Sequence, residues 1–139
     1  MLSLAAREAD IIGIHIKVNP DGRADLAERK PATLAQKVEW IRQVAGERFE
    51  RLELNLLVSL VIVTADRQQA AEEYIRNNEV RPGFTVEHML ETPYILIGSV
   101  DQITENIQTL RERYGVSYFS VFDEHIKTFA PVVARLAGK

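Results

Sequence analysis

Three polar residues, Glu53, Asn55 and Ser59, fall on one parity of an otherwise apolar run from Leu52 to Val63. Alternate residues of a strand share a face, so a strand here turns a carboxylate, an amide and a hydroxyl the same way. Such a set can hold a small polar substrate by hydrogen bonds; structural hydrogen bonding inside the fold is the plainer use of it. Gly13 and His15 close an earlier apolar run, Ala9 to Ile14. A glycine and an imidazole at a strand end can approach a cofactor ring, while tight packing or a turn accounts for Gly13 and an exposed loop for His15. Gly98 and Ser99 stand between an apolar run and a helical pattern, where free N–H groups and the helix dipole favour an anion such as a cofactor phosphate. Ser99 and Gln102 also have the spacing of a capping box, which explains Ser99 without a ligand. Asp123 and Glu124 end the last apolar run and offer paired carboxylates, or a solvated helix cap. His88 and His125 have no partner at metal-ligand spacing and the chain has no cysteine, so no metal site is expected and both histidines read as surface residues. Trp40 reads as a packing or interface residue.

These groups need elements to position them, and the pattern alternates between strand and helix. The start, through Ile14, reads as the tail of a helix running into a strand buried on both faces. A polar, turn-rich loop spans Asn19 to Pro31. Thr33 with Gln36 has capping-box spacing, and Leu34, Val38, Ile41 and Ala45 trace one helical face up to Gly46. One strand is expected over Leu52 to Val63. Thr64 or Asp66 then caps a helix to about Asn77, with Ala70, Tyr74 and Ile75 turned to a core. Arg81-Pro82-Gly83 breaks the chain before a short helix from Val86 to Leu90 and a strand from Tyr94 to Ile97. Val100, Ile103, Ile107, Leu110 and Tyr114 form the buried stripe of the helix that Ser99 opens and Gly115 ends. Tyr118 to Phe122 is the last strand. Phe129, Val132, Val133 and Leu136 give a closing helix its apolar face, with Gly138 beyond it.

Strands alternating with helices in this way imply crossover connections and a parallel sheet. A complete β/α barrel needs roughly 200 to 250 residues, so a chain of 139 residues holds about half of one. Hydrophobic residues make up 46% and charged residues 27%, the balance of a folded globular domain. A formal charge of -3 with scattered lysines and arginines argues against a nucleic-acid partner. No apolar run reaches the roughly 18 residues of a membrane span. Arg7, Glu8 and Asp10 interrupt the first apolar stretch, so it is no signal peptide. A cytoplasmic location is the expectation.

The segments AAREADIIGI, ERFERLELNLLVSLVIVTADRQQAAEEY, TPYILIGSVDQITENIQTLRERYGVSYFSVFDE and FAPVVARLAG resemble the C-terminal part of the luciferase-like monooxygenase superfamily. Within it they look most like the oxidoreductases that use the deazaflavin coenzyme F-420. The run from Pro93 to Gly138 carries most of the resemblance, in its order of Ile-Gly-Ser, helix, Arg-Tyr-Gly, strand and Leu-Ala-Gly. The resemblance implies an α/β fold: a partial TIM-type (β/α)8 barrel of about the last three to four units, with parallel strands and flanking helices, in a single domain over residues 1–139. It further implies hydride transfer or monooxygenation of a small-molecule substrate, with coenzyme F-420 or alternatively FMN, in a family with many dimers. The family's glycine-rich phosphate segment, expected just upstream of Ala5, has no counterpart here. This chain is therefore expected to bind no coenzyme alone and to need the N-terminal barrel half or a second copy of itself. The alternative is a non-catalytic α/β module that oligomerises through exposed sheet edges.

Overall fold

The computed structural model describes residues 2–137. Leu2–Glu8 forms α1, Ile11–Ile14 β1, Pro31–Ala45 α2, Glu53–Val58 β2, Leu60–Val63 β3, Arg67–Asn77 α3, Val86–Glu91 α4, Ile95–Gly98 β4, Val100–Tyr114 α5, Val116–Val121 β5 and Ile126–Leu136 α6. Short 3-10 turns at Leu26–Arg29, Gly46–Arg51 and Asp123–His125 join them. The strands make two parallel sheets, one in the order β1-β2-β5 and one of β3 with β4. Parallel strands flanked by helices are what the sequence predicts; sheets of three and two strands do not close into a barrel.

The three-stranded sheet is covered on one face only. Ile12, Ile14, Leu54, Leu56 and Val116 pack there against Ala6 of α1, Leu34, Val38 and Ile41 of α2, and Leu110 and Tyr114 of α5. The helix stripes read from the sequence are thus the ones that bury apolar area against the sheet. On the opposite face Ile11 is 56% and Tyr118 54% exposed. The expectation that the first strand is buried on both faces is corrected here: β1 alternates exposed and buried residues, because among the described residues no helix crosses the second face. The two-stranded sheet, by contrast, is covered on both sides. Ile103 and Ile107 of α5 with Phe129 and Val132 of α6 pack on Val61 and Leu96, and Ala71 of α3 with Met89 of α4 packs on Ile95 and Ile97.

The single strand expected over Leu52 to Val63 is two. β2 ends at Val58, and Ser59 donates both its backbone N–H (2.8 Å) and its hydroxyl (3.0 Å) to the carbonyl of Tyr94. Glu53 N–H, an even number of residues earlier, donates to Asp10 O beside β1. The same edge of the chain therefore passes from β1 to β4 at Ser59. Side-chain parity changes with it: Val58 and Val61 share one core, while Leu60 and Ile62 turn to another.

Caps explain most of the helix boundaries. Asp66 accepts from Gln69 N–H at the start of α3, and Ser99 and Gln102 form the full capping box of α5. Gly115, with φ of +73°, ends α5 in the left-handed conformation that favours glycine. The Thr33 capping box does not form. Pro31 occupies the first position of α2, Lys30 is the N-cap without a side-chain bond, and the Thr33 hydroxyl donates to Ala27 O instead. Proline's fixed φ starts the helix three residues earlier than a Thr33 cap would. The fifth strand begins at Val116 rather than Tyr118. In α6, Phe129 and Val132 are buried but Val133 is 50% exposed, since it lies a quarter turn off that stripe. Gly138, expected beyond the closing helix, lies outside the described residues.

Candidate functional site

The uncovered face of β1-β2-β5 brings together residues from all three strands. Gly13 is in register with Asn55, and Asn55 with Tyr118. Asn55 is only 8% exposed, and its amide donates to the Ser120 hydroxyl at 2.9 Å. This bond satisfies one amide proton and leaves the Asn55 carbonyl oxygen as an acceptor on that face. A Cβ on Gly13 would lie 2.9 Å from His15 Nε2, so the imidazole occupies the space a side chain would need. Gly13 is there for space, and it lets His15 fold back over the strand. His15, Asn55 and Ser120 then offer hydrogen-bonding groups, with the exposed Ile11 and Tyr118 on the same face.

Gly13→Ala is expected to push the His15 ring aside at little cost in stability, within about 1 kcal/mol, because the ring is exposed and free to turn. The check is the NMR signals of the His15 ring protons, which should move while those of Leu54 and Leu56 do not.

The C-terminal end of β1 is tied to α2. Lys37 Nζ donates to His15 O at 3.1 Å and pairs with Glu28 Oε2 at 2.7 Å, and Glu28 also accepts from Lys17 N–H. Burial raises the Glu28 carboxyl, but the Lys37 and Lys17 hydrogen bonds and ammonium charges outweigh it and leave its pKa below the ordinary 4.5. Nearby in this core, Tyr94 is fully buried and its hydroxyl finds no partner among the described residues. Burial first, and the Glu28 carboxylate second, push that hydroxyl up from 10.0 to about 12.

The two shifts act at opposite ends of the pH scale. Glu28, with its folded value lowered, contributes stability above 4.5 that is lost as pH falls through the folded value. Tyr94, with its folded value raised, contributes stability that is complete below 10.0 and lost as pH rises towards 12. Tyr94→Phe is expected to stay within about 1 kcal/mol of wild type at neutral pH, since the hydroxyl it removes is unpaired. It should also lose less stability than wild type between pH 10 and 12, as urea unfolding at the two ends of that range will show.

The other sequence candidates fall elsewhere. Glu53 is on the same face as Asn55 but opposite Ile11, at the N-terminal edge of the sheet and away from His15. Ser59 sits at the break between β2 and β3, not on the open face. Gly98 and Ser99 belong to the other sheet, and Ser99 N–H is taken by Gln102 Oε1 at 2.9 Å while Ser99 Oγ accepts from Gln102 N–H at 3.1 Å. His88 is part of the α4 cap, with Nδ1 accepting from Thr85 N–H, and is partly buried. His125 is buried at 9% exposure, with Nε2 making no hydrogen bond and Glu124 Oε1 3.6 Å away. The reading of both histidines as surface residues is corrected, because each begins a helix that packs inward. Asp123 and Glu124 form the 3-10 turn before α6 and are exposed. Trp40 is 46% exposed on α2. Among the described residues no group of three or more His, Asp or Glu is placed to hold a metal, and no helix is long and apolar enough to cross a membrane.

Sequence reasoning missed Tyr118 and Ser120. Their alternation along β5 was a visible signal, but only the pairing with β2 sets Ser120 against Asn55.

No family model matches the sequence, and no curated protein matches it. Among solved structures the chain is similar to the crystal structure of a long-chain alkane monooxygenase, with a TM-score of 0.58 and 16% identity. It is also similar, with a TM-score of 0.49 and 15% identity, to an F420-dependent secondary alcohol dehydrogenase in complex with an F420-acetone adduct, covering 86% of this chain and 39% of that one. The first likeness covers 97% of this chain and 38% of the monooxygenase chain, so what this chain shares is the fold of a little over a third of that protein.

Proposed function

We propose that this chain is the C-terminal part of a luciferase-like oxidoreductase that uses coenzyme F-420, with FMN as the alternative, and that the open face of β1-β2-β5 belongs to the interior of its barrel. One observation carries the reading. Among the described residues the one uncovered sheet face holds Gly13, Asn55 and Ser120 on neighbouring parallel strands, with His15 just beyond the end of the first, in the fold the alkane monooxygenase also has. Barrels place their chemistry at the C-terminal ends of such strands.

The residues present fit one part of the coenzyme. A flat ring can lie along the face at Asn55, with His15, Asn55 and Ser120 to meet its polar edge and Tyr118 to exclude water. The phosphate finds no such fit at Gly98 and Ser99, where the cap already uses the donors and Asp101 adds a negative charge paired with Arg135. When bound, the coenzyme supplies the hydride or the reduced ring that the reaction needs. His15 can hold a proton at a ring nitrogen, and Asn55 Oδ1 can orient a donor on ring or substrate. Half the strands cannot complete such a site, so the chain needs the N-terminal half of the barrel, or a second copy, to act on a small-molecule substrate.

The test is titration of this chain with coenzyme F-420 and with FMN, followed by fluorescence. Weak or incomplete binding is expected; tight, stoichiometric binding by this chain alone would sink the claim that it is insufficient. A second reading, a non-catalytic module that associates through its sheet, rests on the exposed Ile11 and Tyr118 and on β1 and β5, which each have one neighbour. It predicts association with no coenzyme contact at all.

A further inference from the structure

A groove runs between the loop after β1 and the segment joining α3 to α4. Its two adjoining cavities, of about 620 and 260 Å³, share Arg29 and Arg81 in their walls. These two residues are brought together from opposite sides of the groove. Arg81 is anchored: its guanidinium donates to Ala24 O and to Asp25 Oδ1 at 3.3 Å. Arg29 is not. It lies over the Phe84 ring, 5.7 Å from the centroid, half-buried, with no carboxylate partner among the described residues.

A half-buried guanidinium that has lost water without gaining an anion is costly. Burial pushes the Arg29 pKa down, Tyr74 opposes it, and the Arg81 charge beside it adds a smaller downward push. An oxyanion in the groove would relieve both, and the planar fork of Arg29 suits a carboxylate or phosphate. The inner cavity continues past Arg29 onto Leu60, Ile95 and Phe84, with Ser59 at its edge. The Ser59 hydroxyl has given its proton to Tyr94 O, and its lone pairs remain as acceptors. Glu79 is the one acid in the walls of both cavities and disfavours a ligand with several negative charges.

We propose that this groove is a binding site for a small organic anion, with one carboxylate or phosphate head group held by Arg29 beside Arg81 and an apolar or aromatic body lying on Phe84, Leu60 and Ile95. The site stands on its own geometry, whether or not the chain completes a barrel.

The experiment is calorimetric titration of the full chain with phenyl phosphate, benzoate and inorganic phosphate, at low and at physiological salt. Saturable binding of phenyl phosphate or benzoate is expected, weaker at higher salt, and roughly tenfold tighter than that of inorganic phosphate because only the first two reach the apolar floor. The better of the two tells carboxylate from phosphate. Arg29→Gln should weaken that binding by about tenfold or more, Arg29→Lys by less, and Arg42→Gln, which lies outside the groove, not at all. Circular dichroism establishes that each variant folds, and if Arg29→Gln does not, Phe84→Leu and Arg29→Lys carry the comparison. Absence of saturable binding, or binding that survives loss of the Arg29 guanidinium, would overturn the proposal. Since none of the three probes is a coenzyme, that failure is separate from failure of the coenzyme titration.

Discussion

Gly98→Ala is expected to be among the most damaging single substitutions in the chain. Gly98 has φ of +142°, a region L side chains rarely adopt, and a Cβ there would lie 2.6 Å from Gln102 Oε1 and 3.0 Å from Gln102 Cβ. The new methyl group therefore strains the backbone and displaces the side chain that closes the α5 capping box. Strain of about 1 to 3 kcal/mol and a lost cap of about 1 kcal/mol add to roughly 2 to 4 kcal/mol. For a chain of this size that corresponds to a fall in Tm of roughly 6 to 14 °C. The helix that follows supplies Ile103 and Ile107 to one core and Leu110 and Tyr114 to the other, so the loss spreads to both sheets. Calorimetry will measure it, with Gln102→Ala as the control that removes the cap without the strain. If Gly98→Ala costs no more than Gln102→Ala, the strain assigned to Gly98 is wrong.

The second large effect is a contrast between the two faces of one sheet. Leu56 is fully buried on the covered face, in register with Ile14 and Phe119. Leu56→Ala should cost about 3 kcal/mol, within the 2 to 5 found for such cavities. Tyr118, on the open face, is 54% exposed, and Tyr118→Ser should leave the fold within about 1 kcal/mol. Its effect belongs to association: if the open face is covered by another chain or barrel half, losing this aromatic should raise the dissociation constant about tenfold or more. Chemical unfolding and sedimentation velocity, run on both variants, separate the two outcomes. A Tyr118→Ser variant that unfolds as readily as Leu56→Ala would mean that the face is already covered within the chain.

Features governed by neighbours along the chain were legible in the sequence. The Ser99 and Gln102 box, the Asp66 cap, the Gly115 stop and the α5 stripe all follow from spacings of three and four residues. The Thr33 box failed because Pro31, two residues earlier, fixes a helix start of its own. What the chain does across a distance was less legible. The break at Ser59 is silent in the sequence, because Leu57, Val58, Leu60 and Val61 are apolar on either parity and Ser59 also fits the polar face of one continuous strand. The open face was half visible: Gly13, His15 and Asn55 stood out, but Ile11 reads as buried until the missing cover is seen. Arg29 and Arg81 are placed in one groove by topology alone, and no local pattern links them.

On the proposed function, the face of β1-β2-β5 left bare by the helices is the face the coenzyme meets. Amide NMR spectra of the chain, recorded while coenzyme F-420 and then FMN are added, test it most directly. Weak binding is expected, in fast exchange, with the shifts at Gly13, Asn55, Tyr118 and Ser120. Shifts centred on Gly98 and Ser99, with none on the open face, would contradict it.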